Sequence, residues 1–169
     1  TGNILYSKNR NASLPPASVT KIMTILLAME ALEDGLFSLT DSVSVSANAA
    51  SMGGSQIYLE AGEQMSVHDL VKGISMASAN DAVVALAERI SGSEEEFVKR
   101  MNSKSKELGL TNTNFKNATG LDEEGHYSSA KDMGLIAKEL VKHKKVLEFS
   151  STYEDYLRQN TNKKFWLVN

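Results

Sequence analysis

Pro15-Pro16-Ala17-Ser18-Val19-Thr20-Lys21-Ile22-Met23-Thr24 is the stretch from which the rest of the sequence is read. Two adjacent prolines cannot continue a helix, but they make a rigid lead-in to one. Behind them Ile22, Ile25, Leu26, Met29 and Leu32 recur at three- and four-residue steps, which predicts a long helix. Ser18 and Lys21 are three apart and fall on one face of its first turn. A hydroxyl is a poor nucleophile until a base removes its proton. An amine one turn away becomes that base if burial and the positive end of the helix dipole disfavour its ammonium form. Ser-x-x-Lys is then a self-contained nucleophile and base that needs no histidine. The plainer alternative is a serine that merely caps a helix, and the spacing alone does not separate the two.

Composition narrows the classes. The 169 residues suit one domain with a sizeable core. A formal net charge of −3 and the lack of a dense basic stripe argue against nucleic acid as a partner. Lys142-His143-Lys144-Lys145 reads as a solvated helix end. With no cysteine, disulfides and thiolate metal sites are excluded. No apolar run within the 169 residues reaches membrane-spanning length, and no signal peptide is expected among them. Thr1-Gly2-Asn3 followed by Ile4-Leu5-Tyr6 reads as a hairpin turn and its second strand, without the first. Phe165-Trp166-Leu167-Val168 reads as a buried strand that stops without a turn. Residues 1–169 are therefore expected to be an interior piece of one larger domain.

Between these ends the pattern is mainly helical. Gly35 sits where the first helix would end. Ser42 to Ser46 alternates as a short half-exposed strand, and Ala47 to Met52 suggests one or two helical turns before Gly53-Gly54. Ser66-x-x-Asp69 has the form of an N-terminal cap for a helix through Met76. Ala77-Ser78-Ala79-Asn80 interrupts it, and helix resumes from Ala82 to Ile90. Ser93-x-x-Glu96 opens another helix, with Phe97, Met101 and Leu108 on its apolar side and Gly109 at its end. Asn112 to Gly125 is turn-rich, Ser128 or Ser129 caps a helix from Lys131 to about Lys142, and Thr152 to Asn162 is ambiguous. An all-helical domain would not need strand remnants at both ends. The expected class is α+β, with the helices packed on an antiparallel sheet that is incomplete within this chain.

Ser78-Ala79-Asn80 is the second chemical candidate, because a break between two apolar helices can push side chains into a cleft. A hydroxyl there can relay a proton between Lys21 and a leaving group, and the Asn80 amide can hold a substrate carbonyl or the lysine. The alternative is that the two residues only end one helix and cap the next. His68, His126 and His143 are scattered, without the spacing of a zinc site. No phosphate loop or dinucleotide fingerprint occurs, and no metal or cofactor is expected. Gly53-Gly54-Ser55-Gln56-Ile57 lacks the closing glycine of a nucleophile elbow. Glu94-Glu95-Glu96 has a structural role in a first helical turn.

Ser-x-x-Lys followed some sixty residues later by Ser-x-Asn supplies two of the three signatures of penicillin-recognising serine enzymes. Around them the chain resembles the D-alanyl-D-alanine carboxypeptidases, the low-molecular-mass penicillin-binding proteins, and looks closest to those of spore-forming Gram-positive bacteria. The resemblance runs through Pro15 to Thr24, Ala50-Ser51-Met52-Gly53-Gly54-Ser55, Ser78 to Ala82, Phe97 to Asn102, Leu108-Gly109-Leu110, Gly120-Leu121 and Ser128 to Asp132. It implies a β-lactamase/transpeptidase-like fold, with Ser18 as acyl-enzyme nucleophile, Lys21 as base, Ser78 as proton relay and Asn80 as substrate contact. It also implies a secreted enzyme at the cell-wall face of the membrane. Its partners would be a peptidoglycan stem ending in D-Ala-D-Ala and β-lactams, and any membrane association would come from segments outside this chain.

The third signature, Lys-Thr-Gly on a sheet strand, does not occur in the 169 residues, and Lys163-Lys164-Phe165 is not it. Half of the oxyanion hole and the substrate clamp are therefore expected to be missing from this chain. A class A β-lactamase would need a deacylating glutamate and usually Ser-Asp-Asn, whereas Ala79 holds the middle position. Glu154 to Arg158 matches the glutamate segment only loosely. A non-catalytic penicillin-binding sensor is the other alternative, and the intact Ser18, Lys21, Ser78 and Asn80 show no sign of such decay.

Overall fold

The computed structural model describes residues 3–169. The double proline leads into a 3₁₀ turn, Ala17–Thr20, which passes directly into α1, Lys21–Glu33. α1 is buried on nearly all sides, as its almost unbroken apolar run from Ile22 to Leu32 requires. It is followed by β1 (Ser42–Ser44), α2 (Ala47–Ala50), β2 (Gln64–Ser66), α3 (Val67–Ala77) and α4 (Asn80–Ser91). The second half holds α5 (Glu94–Glu107), α6 (Ala130–Leu140), α7 (Lys144–Ser150), β3 (Glu154–Leu157) and β4 (Phe165–Val168).

The caps settle where the helices begin. The hydroxyls of Ser66, Ser93 and Ser129 accept from the backbone N–H groups of Asp69, Glu96 and Asp132, each satisfying a donor that the first helical turn leaves free. Ser129, not Ser128, therefore caps α6. α4 is the centre of the core: Ala82, Val83, Val84, Leu86 and Ala87 are wholly buried. It packs against α1, α2, α3 and α5, while the other side of α1 is covered by α6.

The class is α+β, but the strands differ from expectation. The described residues form two separate antiparallel pairs and no larger sheet. β1 pairs with β2 in the register Val43↔Met65, and β3 with β4 in the register Tyr156↔Trp166. Neither β2 nor β3 was legible, because each is short and becomes a strand only through its partner. Ile4-Leu5-Tyr6 is not a strand: it is exposed coil, with no ladder partner among the described residues. The turn expected at Thr1-Gly2 lies outside those residues. β4 is not fully buried either. Leu167 faces the core, while Trp166 and Val168 face outward, the alternation of a one-sided strand.

The segment between α5 and α6 has no regular structure but is well anchored. Asn114 pairs with Tyr127 in one isolated bridge, and Leu14 with Ser128 in another. The second bridge lays this segment beside the chain that leads to the 3₁₀ turn. No described helix is long and apolar enough to cross a membrane.

Candidate active site

The 3₁₀ turn decides the geometry at Ser18. With three residues per turn, side chains at i and i+3 eclipse one another. Lys21 Nζ accordingly lies 3.1 Å from Ser18 Oγ. Ser18 is exposed and is not a helix cap, since Pro16 holds that position. Lys21 is only 4 % exposed. Burial lowers its pKa from 10.5 to about 8. Desolvation is the cause of that shift, the burial contribution expected from sequence. An amine with this pKa is about one-tenth neutral at pH 7, and it faces an accessible hydroxyl.

A second contact fixes the amine. Lys21 Nζ donates to the carbonyl of Thr119 at 2.7 Å. Three residues further along α1, Thr24 Oγ1 donates to the carbonyl of Ala118 at 2.8 Å. The loop carrying these carbonyls is shaped by Asn117, whose Oδ1 accepts from Gly120 N at 2.8 Å and from Thr119 Oγ1 at 3.2 Å. Glu94 adds a 3.0 Å contact to Ala118 N, so one member of the acidic run also anchors this loop. Gly120 takes φ +87°, and a Cβ at that position would lie 1.9 Å from the carbonyl oxygen of Ala17. The loop can approach the nucleophile turn this closely only because residue 120 lacks a side chain.

The Ser78-Ala79-Asn80 break forms the opposite side. Ser78 ends α3 in the left-handed conformation, φ +53°, where glycine or asparagine is usual. Its Oγ is buried without a hydrogen-bond partner. Asn80 Nδ2 donates to Gly53 O at 2.7 Å, and its backbone N–H to Ser55 O at 2.7 Å. Its Oδ1 is buried and unpartnered. Neither side chain hydrogen-bonds to Ser18 or Lys21; what Asn80 shares with Ser18 is a cleft. That cleft, of about 310 Å³, is lined by Ser18, Gly54, Ser55, Asn80, Gly120 and Asp122 among others.

Asp81, not singled out in the sequence, locks this side in place. Its fully buried carboxylate accepts from the N–H groups of Ile57, Leu59 and Ala82 at 2.9–3.2 Å. Such a cluster of backbone donors is what permits a buried carboxylate. Thr119 and His126 were also missed. The first acts through its backbone carbonyl, which any residue possesses. The second acts through partners ten and more than a hundred residues away. Only Asn117 with Gly120 left a local signal, that of a side-chain-stabilised turn.

The D-alanyl-D-alanine carboxypeptidase family model matches residues 1–169. The chain is 66 % identical over 169 residues to the D-alanyl-D-alanine carboxypeptidase DacF of Bacillus subtilis, covering all of this chain and 43 % of that protein. It is 39 % identical to DacC of Escherichia coli, covering 45 % of it. Among solved structures it is similar to penicillin binding protein 5 from Haemophilus influenzae, with a TM-score of 0.91 and 36 % identity over 99 % of this chain and 48 % of that one. It thus spans less than half the length of these relatives. Because the family model covers residues 1–169 and a relative at 66 % identity matches all of them, the chain belongs to the D-alanyl-D-alanine carboxypeptidase family.

Proposed function

We propose that the whole protein carrying this chain is a serine D,D-carboxypeptidase that removes the terminal D-alanine from peptidoglycan stems, and that penicillins acylate it at the same serine. The observation that carries this reading is the 3.1 Å approach of a buried amine of pKa about 8 to an exposed hydroxyl. Lys21 takes the proton of Ser18 Oγ as the oxygen attacks the penultimate D-alanine carbonyl. The resulting oxyanion is held in part by the Ser18 backbone N–H. Collapse breaks the peptide bond, and the departing D-alanine nitrogen receives the proton from Lys21, with Ser78 as relay. Water then hydrolyses the Ser18 ester. Asn80, which lines the cleft, contacts the substrate amide once its buried, unpartnered Oδ1 turns toward the loaded cleft.

Rotation of the Ser78 hydroxyl toward the loaded cleft would complete the relay, since its proton is committed to no other group. The Lys-Thr-Gly clamp and the second oxyanion donor are proposed to come from the remainder of the protein. One oxyanion donor is worth about 3 kcal/mol, so residues 1–169 alone are expected to acylate slowly. Peptidoglycan as substrate places the enzyme outside the cytoplasm, with any membrane association supplied by other segments.

Labelling of the full-length protein with a fluorescent penicillin tests the assignment. The adduct is expected on Ser18 and is expected to vanish in Ser18→Ala, together with D-alanine release from a peptide ending in D-Ala-D-Ala. An intact protein that takes up no label would overturn the reading.

A further inference from the structure

His126 is one of the few polar side chains buried beside the nucleophile helix, at 5 % exposure, and the chemistry above gives it no part. Both ring nitrogens are engaged. Nδ1 accepts from the backbone N–H of Lys116 at 3.1 Å. That bond places the ring proton on Nε2, which faces Thr20 Oγ1 at 2.9 Å. The edge of the ring packs against Phe115, centroids 5.8 Å apart. Thr20 immediately precedes Lys21, and Lys116 lies three residues before Thr119. The imidazole therefore ties the turn that carries the base to the loop whose carbonyl receives the base's Nζ.

Resting on the functional reading above, we infer that neutral His126 is a positioning residue for Lys21, holding the Thr119 carbonyl on the amine by bridging Thr20 and Lys116. The bridge needs one donating and one accepting nitrogen, which only the neutral ring offers. A protonated ring has two donors and must release the Lys116 N–H. Burial favours the neutral form and lowers the imidazole pKa, against the opposing charges of Glu123 and Asp122 in the same loop. When the bridge is lost, the Thr119 carbonyl can withdraw, water can reach Nζ, and the amine moves back toward an ordinary lysine pKa.

The test is the pH dependence of penicillin acylation in the full-length protein. His126→Leu is expected to lower the rate about a hundredfold, the scale of a misplacement of about 1 Å, and to move the half-maximal pH upward. His126→Gln keeps one acceptor and one donor without titrating, and is expected to restore both rate and midpoint to within a few-fold of the wild type. Thr20→Val removes only the Nε2 partner and is expected to shift the midpoint in the same direction, which covers the case in which His126→Leu does not fold. NMR titration of the Lys21 ε-methylene reads the same shift without turnover, so an unreactive wild type would sink the functional reading and leave this one measurable. Folded leucine and valine variants with an unchanged lysine midpoint would overturn the inference. So would a folded glutamine variant as impaired as leucine.

Discussion

At the scale of single residues, the site stands on the unusual state of Lys21. Its amine is depressed to about 8 by burial, so the neutral base is scarce below that pH and plentiful above it. Acylation of Ser18 is expected to rise about tenfold per pH unit up to pH ~8 and then level off. Stopped-flow acylation across pH 6–10 checks the midpoint. The same shift has a stability counterpart. Because the folded-state pKa lies below the unfolded one, the unfolded chain binds the extra proton between about 8 and 10.5. This group therefore favours folding increasingly as pH rises through that window. Ser78, the proposed relay, is a second residue held at some cost. A serine at φ +53° is strained where glycine is not. Ser78→Gly is expected to stabilise the protein by about 0.5–1 kcal/mol while slowing acylation. Paired denaturation and labelling measurements check both signs at once.

At the scale of elements, two loops carry the walls of the cleft, and each is pinned by polar contacts from a buried helix. The loop of Asn117 to Leu121 hangs on Lys21 and Thr24 of α1. The loop of Gly53 to Leu59 hangs on Asn80 and Asp81 of α4. Gly120→Ala would force a methyl against the Ala17 carbonyl at a left-handed φ. It is expected to cost on the order of 2–4 kcal/mol and to abolish acylation, as measured by urea unfolding and by penicillin labelling. Asp81→Asn replaces an acceptor-only group with one that presents two donors to backbone N–H groups. A loss of about 2–3 kcal/mol is expected, with substrate binding impaired because Asn80 is the next residue.

At the scale of the whole molecule, the β3–β4 pair is joined to the helical body through Arg158. Its guanidinium meets Glu63 at 2.5 and 3.0 Å and donates to the carbonyls of Ile57 and Tyr58 at 3.0 and 3.3 Å. Lys72 of α3 adds a 2.7 Å pair to Asp155 of β3. Arg158→Ala leaves Glu63 and two carbonyls without their partner and is expected to cost about 3 kcal/mol. Trp166 is half-exposed on that hairpin, so its fluorescence during unfolding reports whether the pair detaches before the helices melt.

The sequence by itself determined most of the helices and the Ser18–Lys21 pairing, because these depend on contacts three or four residues apart; α7 is the exception, since Lys142 to Lys145 read only as a solvated helix end. Ser66 and Ser93 cap where their spacing placed them, Ser129 is one of the two positions the spacing left open, and the double proline starts the turn that eclipses Ser18 and Lys21. Ser78 and Asn80 were legible as a break between helices, but not that their buried oxygens would lack protein partners. Only the tertiary structure decided which carbonyl meets Lys21, which side chain bridges to its loop, and which short segments become strands. Thr119, His126 and Asp81 act across 98, 106 and about two dozen residues respectively. β2 and β3 are defined by the partner each pairs with, and Ile4 to Tyr6, lacking one, stays coil. Local periodicity carries no information about such long-range pairings, since their cost and their reward both arise when the chain closes on itself.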